Sequence, residues 1–288
     1  MPTKQSLLTF LDKPSEPGSN FFLFAAPLDI TTSNRSGARF GPNAVRRESS
    51  FLDTYSARSK LDWEDLALGD IGDVECNTVD FCLANIEDTI RETCGFPVMI
   101  GGEHTITLGA LRALRPEIIV VFDAHLDVRD ELFGEYLCHA TYLRRALEEL
   151  DCKALVVGAR AFSGEEIEYA GESSDLSYIT AHEVIRDSEK AHRLIDDNLE
   201  SVDSVYLSVD VDVLDPAYAP AVGNPHPEGL STMMLLDTVD IVMRSKVVGM
   251  DLNEVYPHYD TGITATVAAY VLMESLYSYL RQRKQLKN

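Results

Sequence analysis

Asp123, His125 and Asp127 fall at alternate positions directly after the apolar run Ile118-Ile119-Val120-Val121-Phe122. A run of that kind reads as a strand buried on both faces of a parallel sheet. If the extended backbone continues past it, this spacing sends the three polar side chains to one side. Two carboxylates and an imidazole converging there make a candidate metal site. The competing explanation is a turn with a chance histidine, and the rest of the chain decides between them.

Three further apolar runs end in the same way. The run to Ile100 delivers Gly101-Gly102-Glu103-His104, the run to Val209 delivers Asp210-Val211-Asp212, and the run to Met250 delivers Asp251, Asn253 and Glu254. Strand ends beside a buried core are costly places for unpaired carboxylates, and a shared cation relieves the cost. His104, Asp123, His125, Asp127, Asp210 and Asp212 offer oxygen and imidazole donors without a thiolate. That set suits hard or borderline divalent ions and is too large for one tetrahedral zinc. Two ions roughly 3.5 Å apart share bridging carboxylates and hold a bridging water that loses a proton near neutral pH. Manganese is the natural candidate.

The elements that must position these residues follow from periodicity. Strands are expected at 20–27, 66–71, 96–100, from 117 onward, 154–158, 177–180, 204–211 and 247–252. Helices are expected at 41–55, 80–94, 105–114, 140–150, 163–169, 181–199, 231–244 (with Ser231 as its cap) and 263–284. Strands alternating with helices imply a mostly parallel sheet covered on both faces. The expectation is a three-layer α/β/α sandwich around a central sheet of about eight strands. No repeat or composition break divides the chain, so 1–288 is expected to form a single domain. In such sheets ligands sit at the carboxyl ends of the strands.

With 45% hydrophobic residues, the 288-residue chain can bury a large core. Its formal charge of −22 repels phosphate, which argues against nucleic acid and favours a small cationic partner. The cysteines at 76, 82, 94, 138 and 152 lack framework spacing, which fits reduced thiols and a cytoplasmic setting. No signal-peptide pattern opens the chain, and no apolar run approaches a membrane span.

Taken together, Gly-Gly-Glu-His at 101–104, Asp-Ala-His-Leu-Asp at 123–127 and Ser-Val-Asp-Val-Asp-Val-Leu-Asp-Pro at 208–216 resemble the ureohydrolase family of arginases and agmatinases. The segments 36–42 with Arg46, 251–255 and 264–266 extend the resemblance over nearly the whole chain. It implies an arginase-like fold and a dimanganese hydrolase that cleaves a guanidinium group with a metal-bridging hydroxide. One ion would be held by His104, Asp123, Asp127 and Asp210, the other by Asp123, His125, Asp210 and Asp212. Asp127 would also handle a proton. His139 resembles the family's proton-shuttling histidine, and Glu254 the glutamate that pairs with the substrate guanidinium. A homo-oligomer, trimeric or hexameric, is implied as well. Asp215, before Pro216, is expected to shape a turn. His226 and His258 fall in candidate site loops but match no ligand position, His182 and His192 read as surface helix residues, and Arg160 is expected to neutralise acids rather than to line the site.

The stretch 128–137 lacks the Asn and Ser with which arginases recognise a substrate carboxylate, and it carries three acids. That favours a substrate with a cationic far end, so agmatine cleavage to putrescine and urea is the leading expectation. Arg129 is the counter-evidence. The loop 219–230 departs from the agmatinase pattern at His226 and Glu228, which leaves guanidinobutyrate, arginine and formiminoglutamate open. The reading of another class is a non-catalytic, metal-binding regulatory homologue.

Overall fold

The computed structural model describes residues 3–14 and 18–285. Both ends of the expected 1–288 domain, and residues 15–17, lie outside the described residues. The chain runs β1 (Thr3–Lys4), β2 (Phe21–Ala26), α1 (Gly41–Ser49), β3 (Leu68–Val74), α2 (Val79–Glu92), β4 (Phe96–Gly101), α3 (Thr107–Leu114), β5 (Ile118–Phe122) and α4 (Tyr142–Glu149). It continues β6 (Lys153–Ala159), α5 (Gly164–Glu172), β7 (Leu176–Thr180), α6 (Ala181–Arg186), α7 (Ser188–Leu199), β8 (Val205–Asp210), α8 (Thr232–Val242), β9 (Val247–Asn253) and α9 (Ile263–Gln285).

Among the described residues, the strands join one sheet in the order β1-β3-β2-β4-β9-β8-β5-β6-β7, parallel except for β1. The expected eight strands are thus joined by a ninth, a two-residue edge strand too short to leave a period in the sequence. The four strands that carry the candidate site residues are neighbours at the sheet centre: β4, β9, β8 and β5. Motifs far apart in sequence are therefore delivered to one edge, at the carboxyl ends of adjacent strands.

Helices cover both faces. In β5, Ile118, Val120 and Phe122 enter the core shared with α1, α8 and α9, whereas Ile119 and Val121 enter the core shared with α2, α3 and α4. This two-sided burial is why the strand reads as an unbroken β-branched run. Among the described residues, no helix is long and apolar enough to cross a membrane.

Three expectations are corrected. The helix expected over 41–55 stops at Ser49, whose hydroxyl bonds back to the Arg46 carbonyl at 2.7 Å and accepts from the Leu11 amide. The helix expected over 181–199 breaks at Asp187, which leaves helical dihedrals and caps α7 through the Lys190 amide. Cys76 and Cys82, expected as free thiols, are joined by a disulfide. The turn between β3 and α2 brings their Cα atoms to 4.2 Å, whereas Cys94, Cys138 and Cys152 are free.

Candidate metal centre

The β4 end approaches its neighbours too closely for side chains. A Cβ on Gly101 would meet Asn253 Oδ1 at 1.9 Å, and one on Gly102 would meet the Leu28 carbonyl at 1.9 Å. This close passage leads Glu103 and His104 into the interior. Glu103, fully buried, accepts from the amides of Ile30 and Thr31 and from the Thr105 hydroxyl. It fixes the loop after β2.

His104 is oriented from behind. Its Nε2 lies 2.8 Å from Ser208 Oγ and 2.9 Å from the Tyr142 hydroxyl. Ser208 donates to Asp251 at 2.6 Å, so its oxygen is open to accept from Nε2–H. Asp251 is itself fully buried and also accepts from Tyr206, Thr107 and Asn253. This chain turns Nδ1 toward the acids, 3.1 Å from Asp123 Oδ2, 3.4 Å from Asp210 Oδ2 and 3.5 Å from Asp127 Oδ2. Nδ1 is buried without a hydrogen-bond partner. Such an arrangement behind a metal-binding imidazole fixes its tautomer.

Asp123, His125 and Asp127 do not continue the strand as alternation suggested. The chain turns after Phe122, and Asp127 has φ of +54°. Asp123 Oδ1 accepts from the His125 amide at 2.6 Å and Asp212 Oδ1 from the Ala124 amide at 3.1 Å, tying the turn to the end of β8. Asp210 Oδ1 in turn accepts from the Asp212 amide at 2.7 Å. His125 Nδ1 lies 3.0 Å from Asp212 Oδ2 and 3.3 Å from Asp123 Oδ1.

Two overlapping triads result. His104, Asp123 and Asp210 place donor atoms within 4.8 Å of one another, as do Asp123, His125 and Asp212. Asp123 belongs to both. Burial drives the carboxyls of Asp210 and Asp127 upward, the latter to about 7, with the Asp212 and Asp123 charges adding to the respective shifts. The imidazoles beside Asp123 hold its carboxyl below the usual range against the opposing effect of burial. A cation between groups this close would let the carboxyls ionise together. The bare Nδ1 of His104 and the oxygen-rich surroundings fit a divalent ion.

Glu254, with φ of +68°, sits at the wall of the site. Its Oε1 accepts from the His104 amide at 2.6 Å and its Oε2 from the Tyr256 hydroxyl at 2.8 Å. Burial lifts its carboxyl to about 8. His139 lines the same cavity, of about 770 Å³.

The remaining candidates separate. His226 lines the cavity. His258 packs edge-on against Phe40, His192 lies 3.4 Å from the Thr238 hydroxyl on the helical layer, and His182 borders a different cavity. Asp215 shapes its turn through the amides of Ala217 and Gly229. Arg160 was expected to neutralise acids. Its guanidinium donates to backbone carbonyls, among them those of Asp212 and His226, and the charges of Asp212, Asp123, Asp215 and Asp210 favour its cationic form against burial. Of the loop 128–137, Arg129, Leu132 and Phe133 line the cavity, and its acids Asp130, Glu131 and Glu135 do not.

Sequence reasoning passed over Ser208, Tyr142 and Tyr256. Ser208 carries a signal, since it stands two residues before Asp210 on the same strand face. Tyr142 and Tyr256 carry none.

Fold and site together define an α/β protein whose central strands converge on a candidate two-ion centre. The chain belongs to the arginase family, whose model matches residues 19–277. It is 38% identical to a guanidinobutyrase of Pseudomonas aeruginosa over 87% of this chain and 83% of that protein. It is 34% identical to an N(1)-aminopropylagmatine ureohydrolase of Thermococcus kodakarensis over 90% of each. The agmatine ureohydrolase of Thermoplasma volcanium superposes with a TM-score of 0.87 at 31% identity, covering 98% of this chain and 97% of that one.

Proposed function

We propose that this protein hydrolyses the guanidinium group of agmatine to putrescine and urea, with His104, Asp123, His125, Asp127, Asp210 and Asp212 holding two manganese ions. The observation that carries the reading is the pair of triads sharing Asp123, with Glu254 on the wall of the cavity they face. Two divalent ions at such a site supply Lewis acidity and lower the pKa of water toward neutrality.

The chain's own residues do the rest. A carboxylate has about four acceptor positions. Glu254 fills two from behind, with the His104 amide and the Tyr256 hydroxyl. The others face the cavity and suit the paired N–H groups of a planar guanidinium. That cation favours the ionised form of Glu254 against the effect of burial. Asp127, on the cavity wall beside His104, would take a proton from the attacking water. His139 delivers a proton to the departing amine.

The cationic far end of agmatine is supported by the charge of −22. Arg129 favours a second reading, a guanidino acid such as guanidinobutyrate, because it too lines the cavity. Its guanidinium already faces Glu166 at 3.5 Å, which keeps agmatine first. Comparison of kcat/KM for agmatine, guanidinobutyrate and arginine tests this order. Agmatine should lead, and preference for guanidinobutyrate transfers the assignment to the second reading.

A further inference from the structure

We propose that Ser33 is a catalytic residue whose hydroxyl passes the proton from His139 to the departing amine. The inference rests on the ureohydrolase reading above and adds a residue to it.

Ser33 comes from the loop after β2, remote in sequence from every motif of the site, and lines the cavity. His139 is held by both ring nitrogens. Its Nδ1 lies 2.9 Å from the Thr31 carbonyl. A carbonyl only accepts, so Nδ1 carries a hydrogen whether the ring is neutral or charged. Its Nε2, the atom that exchanges the proton, lies 3.0 Å from Ser33 Oγ. The Ser33 oxygen also accepts from Asn224 Nδ2 at 3.4 Å, an arm from the neighbouring loop 219–230 that also lines the cavity. The exchanging nitrogen of His139 is thus covered by a hydroxyl that itself faces the cavity.

The bond reverses with the charge of the ring. When His139 is neutral, Ser33 donates to Nε2. When the ring is protonated, Nε2–H donates to Ser33 Oγ, and the hydroxyl hydrogen turns into the cavity. As the scissile C–N bond breaks, its electron pair stays on the amine nitrogen. That nitrogen takes the Ser33 hydroxyl proton while Ser33 takes the Nε2 proton. Ser33 ends unchanged and His139 ends neutral. The water supplies two protons: the one taken by Asp127 passes to the same amine nitrogen, and the other restores the His139 ring for the next cycle, so guanidinium and water give urea and an ammonium product and the balance closes.

The alternative is that Ser33 merely holds the ring, which Thr31 already does from the other side. The test compares the manganese-loaded wild type with Ser33→Ala and Ser33→Thr. Urea release, the solvent deuterium isotope effect on kcat and a crystal structure of the alanine variant are the readouts. The expected result is a fall in kcat of roughly 10- to 100-fold for Ser33→Ala, a changed isotope effect and recovery by Ser33→Thr, with His139 still bonded to Thr31. Unchanged kcat in Ser33→Ala overturns the relay, and so does lost activity accompanied by rotation of His139 away from Thr31. A wild type that releases no urea from any guanidino compound overturns the ureohydrolase reading as well, which separates the two failures.

Discussion

Asp123 faces His104 and His125 with different oxygens: Oδ2 lies 3.1 Å from His104 Nδ1, and Oδ1 lies 3.3 Å from His125 Nδ1. One carboxylate thus stands between two imidazoles from different segments, the geometry a bridging ligand requires.

Replacing Asp123 with Asn removes the charge shared by both triads while keeping its shape. Both ions should be lost together. Metal analysis after dialysis, with circular dichroism to verify folding, checks this. Retention of two ions per chain rejects the bridging role.

Glu254→Gln keeps the acceptor for the His104 amide but removes the charge that a guanidinium would meet. A charge-assisted pair of hydrogen bonds contributes about 3 kcal/mol, so kcat/KM should fall by roughly 100-fold. Manganese content should stay at the wild-type level. Steady-state kinetics beside metal analysis distinguishes loss of substrate binding from loss of the centre.

The buried carboxyls predict how stability follows pH in protein stripped of metal. Burial lifts Glu254 from 4.5 to about 8 and Asp127 from 3.8 to about 7. Between the ordinary and raised values the folded state binds more protons than the unfolded state. The contribution of these groups is therefore fully present at acid pH and lost as pH rises through the raised values. Thermal melts in chelator should show Tm falling across this window. Added manganese should raise Tm most at its upper end, because the ligands must be deprotonated to bind. A chelated Tm that rises across the window contradicts the assignment.

Arg46 and Asp70 form a doubly hydrogen-bonded pair, at 2.8 and 2.9 Å, with both side chains fully buried. Asp70→Asn removes the buried carboxylate that holds Arg46 through two hydrogen bonds and leaves Asp73 as its remaining charged partner. Breaking such a pair costs about 3–5 kcal/mol. Urea denaturation should register a loss of that order, with kcat of the folded fraction unchanged.

Much of the fold was legible because parallel strands buried on both faces leave long β-branched runs, as in β5. The two-residue β1 leaves no such trace. The candidate ligands were legible because each follows an apolar run. Their mutual geometry was not, since alternation predicted an extended Asp123–Asp127 and the chain instead turns there, tied by Asp212 just past β8. That tie exists only once β5 and β8 pair. The acids of the loop 128–137 mislead for the same reason: composition does not reveal that Arg129, Leu132 and Phe133 face the cavity while the acids turn away. Ser33 and Tyr256 reach the site from loops whose placement depends on the whole sheet edge.

The most direct test of the central claim is urea released from agmatine by protein loaded with manganese, beside the same protein stripped by chelator. The loaded protein should give equal amounts of urea and putrescine, and the stripped one none. No urea from agmatine or any other guanidino compound, at full manganese occupancy, would contradict it.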